Sequence, residues 1–302
     1  MHGGGLIGRA EQKGRRATVR TWKHGAGLVV AALALCLSQR PASAQEGDLN
    51  GALELVDPNV FRACADPRNL PFSDSAGEGF ENKIAELFAK KLGKSVGYTF
   101  YPGATGFIRN TLNARRCDVV MGMPVGDDIV QPTNPYYRTA YVAVYAKDGP
   151  LAGLDALADP RLKTAKIGVI AGTPPVTYLA IDGLLTHIKS YALVVDTRYD
   201  SPNAEMVADL DNGVIDVALM WGPLAGYYAA KAKTPLTLQP LLKETGGPKL
   251  TYRIAMGVRH SDQNWKRDLN KLIAGNRDEI VAILRSYGVP LLDENDKPLG
   301  SP

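Results

Sequence analysis

One pattern occurs twice in this chain. Leu112-Asn-Ala-Arg-Arg-Cys-Asp118-Val-Val and Leu210-Asp-Asn-Gly-Val-Ile-Asp216-Val-Ala share the spacing from leucine to aspartate, and each runs into an apolar stretch that reads as a strand. Strands and helices alternate ahead of both copies. Residues 60–65 are strand-like, and 81–92 place Ile84, Leu87, Phe88 and Leu92 on one helical face with Gly93 as the stop. A strand is expected at 98–101, a helix carrying Phe107, Ile108 and Leu112 at 105–113, and a strand at 118–122. The order then restarts, with strands at 166–170, 192–196 and 215–220. The helices between them are one capped by Thr173 with Pro174 at its first position and one over 203–211 stopped by Gly213. Strands separated by helices imply a parallel sheet with right-handed crossovers, and the restart implies two similar α/β lobes.

Two apolar segments, YVAVY at 141–145 and YRIAMGV at 252–258, lie between the repeated parts, and helical stretches at 263–274 and 277–287 return the chain to the first lobe. The expected division is lobe 1 over 45–145 and 257–302 and lobe 2 over 146–256, joined by a two-segment hinge. A ligand between such lobes faces the carboxyl ends of strands and the amino ends of helices.

Residues 1–44 read as a secretory signal peptide. Arg9, Lys13, Arg15, Arg16, Arg20 and Lys23 precede the apolar run 26–37, and Ala42-Ser43-Ala44 supplies the cleavage site before Gln45. That run is too short to span a bilayer core of about 30 Å, which takes roughly 20 apolar residues. Ala17-Thr18 after the twin arginine favour the general secretory route, and Leu35 before Cys36 does not suit a lipobox. The leader holds seven of the 35 basic and one of the 31 acidic residues, so the mature chain has 28 against 30 and no nucleic-acid footprint. Cys64 and Cys117 remain, each in an apolar run that reads as a buried strand. Neighbouring strands would allow a disulfide, stabilising by about 4 kcal/mol through loop closure; the other reading is two free buried thiols.

The stretch CADPRNLPFS at 64–73, the helix FENKIAELFAKKLG, then LNARRCDVVMG, NPYYRTAYV and VIAGTPP resemble the type II periplasmic solute-binding fold. More narrowly they resemble the MxaJ/XoxJ group, binding-protein-like accessory proteins of PQQ-dependent methanol dehydrogenases, the XoxF type being lanthanide-dependent. The resemblance implies such a dehydrogenase as partner, with its c-type cytochrome as another, and no cofactor of the chain's own. It also implies a cleft formed by Asp66, Arg68, Asn69 and Phe72 beyond the first strand, with Met123, Tyr136, Thr173 and Trp221. Trp221 is read either as cleft lining or as core, Asp66 with Arg68 either as ligand contacts or as a local ion pair, and Tyr136 and Tyr137 as hinge and lobe packing, with one of them as the alternative ligand contact.

Amino-acid-binding members of the fold carry an arginine ahead of the (F/N)-x-PY motif, whose planar fork holds a ligand carboxylate. Here residues 123–134 hold Asp127 and Asp128 but no arginine. The acid that meets a ligand amine in the second lobe is expected just after Met220, where Trp221-Gly222-Pro223 stands. A carboxylate ligand is therefore disfavoured, because a buried unpaired charge costs several kcal/mol.

Catalytic signals are sparse. His187 and His260 show no metal-ligand spacing or neighbouring nucleophile motif, and Gly172-Thr-Pro-Pro175 lacks the glycines and lysine of a phosphate loop. Asp127-Asp128 reads as a solvated turn rather than a cation cage. Three functions follow: a non-catalytic accessory protein of a methanol dehydrogenase; the solute-binding component of an importer for a neutral molecule; or a cyclohexadienyl dehydratase-like enzyme with Asp66 or Glu81 as its acid.

Overall fold

The computed structural model describes residues 54–300, so the leader lies outside the described residues. Strand β1 (Val60–Ala65) leads through a small hairpin, β2 (Arg68–Asn69) and β3 (Ser73–Asp74), to helix α1 (Phe80–Lys91). The start of α1 is fixed by backbone contact. The N–H groups of Phe80 and Glu81 donate to the carbonyls of Pro71 and Phe72, and Asn82 Oδ1 accepts from Gly79 and Asp74. A Cβ at Gly79 would lie 2.1 Å from the Phe72 carbonyl oxygen, so only glycine permits this approach. Leu70–Pro71 is a cis peptide bond. Next come β4 (Ser95–Phe100), the short α2 (Phe107–Asn110) and β5 (Val119–Pro124).

Strand β6 (Gln131–Ala146) is 16 residues long and belongs to both halves of the molecule. Its first part pairs antiparallel with β11 (Thr251–Val258), and its last part pairs with β9 (Val217–Trp221) and β10 (Leu236–Pro240). The main strand path is β4-β1-β5-β11-β6-β9-β7-β8, where β7 is Ile167–Ile170 and β8 is Ile188–Tyr191. Helices α3 (Pro174–Ile181), α4 (Pro202–Asp211) and α5 (Gly222–Ala229) cover the second half, and α6 (Gln263–Gly275) and α7 (Arg277–Ser286) pack with the first.

The β1/β4, β1/β5, β7/β8 and β7/β9 pairs are parallel, as strand-helix alternation requires, but β6 and β11 make the sheet mixed. The expected strand at 192–196 is absent from the ladder; β8 lies earlier, at Ile188–Tyr191. Tyr191 is buried whereas Val194 is 83% exposed, so burial selected the earlier segment. Helix α5 and strand β10 were not anticipated. β11 packs along its length with the first half, where Ile254, Met256 and Val258 join Phe61, Phe80 and Phe88.

The repeated sequence is a repeated structure. Arg115 and Gly213 occupy equivalent positions and both adopt positive φ, 58° and 67°. Each donates to the carbonyl three residues back, Leu112 or Leu210, and the next residues, Arg116 and Val214, donate to Thr111 and Asp209. This is the hydrogen-bond pattern of a left-handed helix C-cap. Asp118 and Asp216 then enter strands by donating to the carbonyls of Arg62 and Lys166.

Candidate ligand cleft

A cleft of about 1200 Å³ is bordered by strand ends and helix starts of both halves. Of the eight residues expected there, Asp66, Arg68, Asn69, Phe72, Met123, Thr173 and Trp221 line it and Tyr136 does not. Tyr136 is buried, and its hydroxyl donates to the Met121 carbonyl at 2.8 Å. Its neighbour Tyr137 faces the cleft instead, as alternation along β6 dictates.

Asp66 ends β1. Its carboxylate accepts from the backbone N–H of Arg68 at 2.8 Å and of Gly103 at 2.5 Å, and the Ser73 hydroxyl donates to its carbonyl. No side-chain ion pair joins Asp66 to Arg68 among the described residues; the acid serves the loop backbone. Thr173 sits at the N-cap of α3, but its hydroxyl turns back to donate to Ile170 at 2.7 Å. Asp127 accepts from the Ile129 N–H, closing a turn.

Trp221 lines the cleft as part of a ring cluster. Its centroid lies 5.2 Å from that of Tyr141 and 5.4 Å from that of Tyr252, and all three rings border the cleft. Burial pushes the Tyr141 hydroxyl up to about 12, with Tyr252 contributing. Sequence reasoning missed this cluster, although each tyrosine opens one of the two apolar crossing segments, and that placement was the available signal. Glu81, considered only as an enzyme acid, stands in the cleft from the first turn of α1. Burial pushes its carboxyl up to about 8, and the charge of Asp66 adds to the shift.

Cys64 and Cys117 form a disulfide with Cα atoms 5.4 Å apart, joining β1 to the turn before β5 at one side of the cleft. Behind it, Asp118 accepts from Arg62 Nε at 2.7 Å and from Arg259 Nη2 at 2.7 Å. That engages Arg259, as Asp296 engages Arg138, so neither guanidinium is offered to a ligand. Among the described residues no cluster of three His, Cys, Asp or Glu side chains could hold a metal, and no helix is long and apolar enough to cross a membrane.

Two halves sharing strand β6 around a cleft at their strand ends define a type II periplasmic binding protein fold, and known structures agree. The periplasmic binding protein XoxJ from Methylobacterium extorquens AM1 superposes with a TM-score of 0.66 at 43% identity, covering 78% of this chain and all of that one. MxaJ from Methlophaga aminisulfidivorans gives 0.67 at 25% identity over 77% of this chain and all of that one. The protein MoxJ of Methylorubrum extorquens is 30% identical over 92% of this chain and 97% of its own length. The chain belongs to this MoxJ/MxaJ/XoxJ family. No protein-family profile matches it.

Proposed function

We propose that this chain is a non-catalytic periplasmic protein that binds a PQQ-dependent methanol dehydrogenase of the XoxF type and assists its maturation or activity, with the associated c-type cytochrome as a further partner. The observation that carries this reading is 43% identity to XoxJ across the whole of that chain. The cleft supports it: no arginine fork for a carboxylate stands ahead of the Asn134-Pro-Tyr-Tyr motif, and Trp221 takes the place of the acid that would receive an amine. The mature chain begins at Gln45. Surface plasmon resonance of the mature protein against the purified dehydrogenase, with and without PQQ and metal, is expected to show saturable binding. Absence of binding in every state would refute the docking role.

A further inference from the structure

The cleft is lined by acidic and aromatic side chains. The charged residues lining it are Asp66, Arg68, Asp74, Glu81 and Asp200, four acids to one base. Even that base has an acidic neighbour. Asp196 is drawn down to about 2, chiefly by hydrogen bonds from Arg198 and in smaller part by the charge of Arg68.

Glu81 is the group without a counterpart. Its backbone N–H is taken by the Phe72 carbonyl, but its carboxyl has no hydrogen-bond or ion-pair partner among the described residues. Gly122 on β5 makes the room it occupies, since a Cβ there would lie 2.2 Å from Glu81 Oε1. The titratable groups facing it are Asp66 from the end of β1 and the hydroxyls of Tyr136 and Tyr137 from β6. Arg68 and Asp74 border the same space from the β2–β3 hairpin. Among the described residues no cation acts on the half-buried Glu81 carboxyl to offset its desolvation. An anionic ligand would deepen that deficit, a neutral one would leave it, and a cation would remove it.

We propose that the cleft is a binding site for a small organic cation lacking a carboxylate, an alkylammonium or quaternary ammonium group held at Glu81 with its apolar part against Tyr137, Trp221 and Tyr252. Aromatic faces attract such cations through the ring quadrupole, and attraction at Glu81 requires the ionised carboxylate. Binding therefore expels the Glu81 proton to solvent. With the free carboxyl near 8, apparent affinity for a permanently charged ligand climbs roughly tenfold per pH unit below that value. The site is independent of whether the dehydrogenase docks.

Isothermal titration calorimetry on the mature protein, using choline chloride and n-butylammonium chloride with sodium butyrate as control, tests this at pH 6 and pH 9. Both cations are expected to saturate and butyrate not. Choline is expected to bind at least tenfold more tightly at pH 9, and Glu81→Gln to lose tenfold or more in affinity together with the pH dependence. Trp221→Ala, read by the same titration, is expected to weaken choline severalfold while Glu81 keeps its pH response. No saturation by either cation at concentrations up to about 10 mM at pH 9, equal binding of butyrate, or unchanged affinity in Glu81→Gln overturns the proposal.

Discussion

Arg115 holds a backbone conformation that its repeat partner gives to glycine. A side chain at positive φ costs about 1–2 kcal/mol against the right-handed region, and Gly213 avoids that cost with the same hydrogen bonds. Arg115→Gly is expected to stabilise the protein by about 0.5–1 kcal/mol, after the greater freedom of glycine in the unfolded chain, seen as a higher urea midpoint. Asp118 behaves oppositely. It is fully buried between Arg62 and Arg259, and Asp118→Asn removes the countercharge of Arg62 and one of the two that hold Arg259, whose Nε stays 2.7 Å from Asp262. We expect a loss of about 3–5 kcal/mol in the same denaturation experiment. The equal spacing of Asp118 and Asp216 was legible in the sequence. Their different environments were not: Asp216 is exposed and accepts from the Lys166 N–H, while Arg259 reaches Asp118 only once β11 has crossed the first half.

Among elements, those whose apolar positions repeat at one period were readable. α1, α6 and α7 fall within a residue or two of expectation because each buries one stripe, such as Ile84, Ala85 and Phe88. Helix α5 was not readable, because Gly222-Pro-Leu-Ala-Gly reads as a chain breaker. Its glycines answer a neighbour instead: a Cβ on Gly226 would lie 1.9 Å from the carbonyl oxygen of Gly288. Gly226→Ala therefore forces α5 away from the turn after α7, at a cost of about 1–3 kcal/mol, measurable as a drop in Tm. The displaced β8 has a similar origin. Residues 188–191, Ile-Lys-Ser-Tyr, are less apolar than 192–196, yet they pair with β7 and bury Tyr191, while Ala192 to Val195 border the cleft instead.

Over the whole molecule, stability and cleft chemistry meet at Glu81. The unfolded chain ionises it from about pH 4.5, whereas the folded protein holds its proton to about 8, so folding is opposed increasingly across that interval. Glu81→Gln is expected to leave stability unchanged near pH 4 and to raise it by about 1–3 kcal/mol at pH 8, compared by denaturation at the two pH values. The Cys64–Cys117 bridge, spanning 53 residues, acts on the unfolded chain at every pH; reducing it, or Cys64→Ser, is expected to cost about 4 kcal/mol in the loop-closure picture. The sequence by itself determined the alternation of most strands and helices and the repeat, because these follow from local period and capping, while the seven cleft residues it named came from the motifs shared with the family. Tertiary structure decided which side chains face the opening: Tyr137 rather than Tyr136, the ring cluster of Tyr141, Trp221 and Tyr252, and Glu81 without a partner. Those outcomes depend on how β6 and β11 cross between the halves, and a pairing between segments more than a hundred residues apart leaves no local periodicity to read.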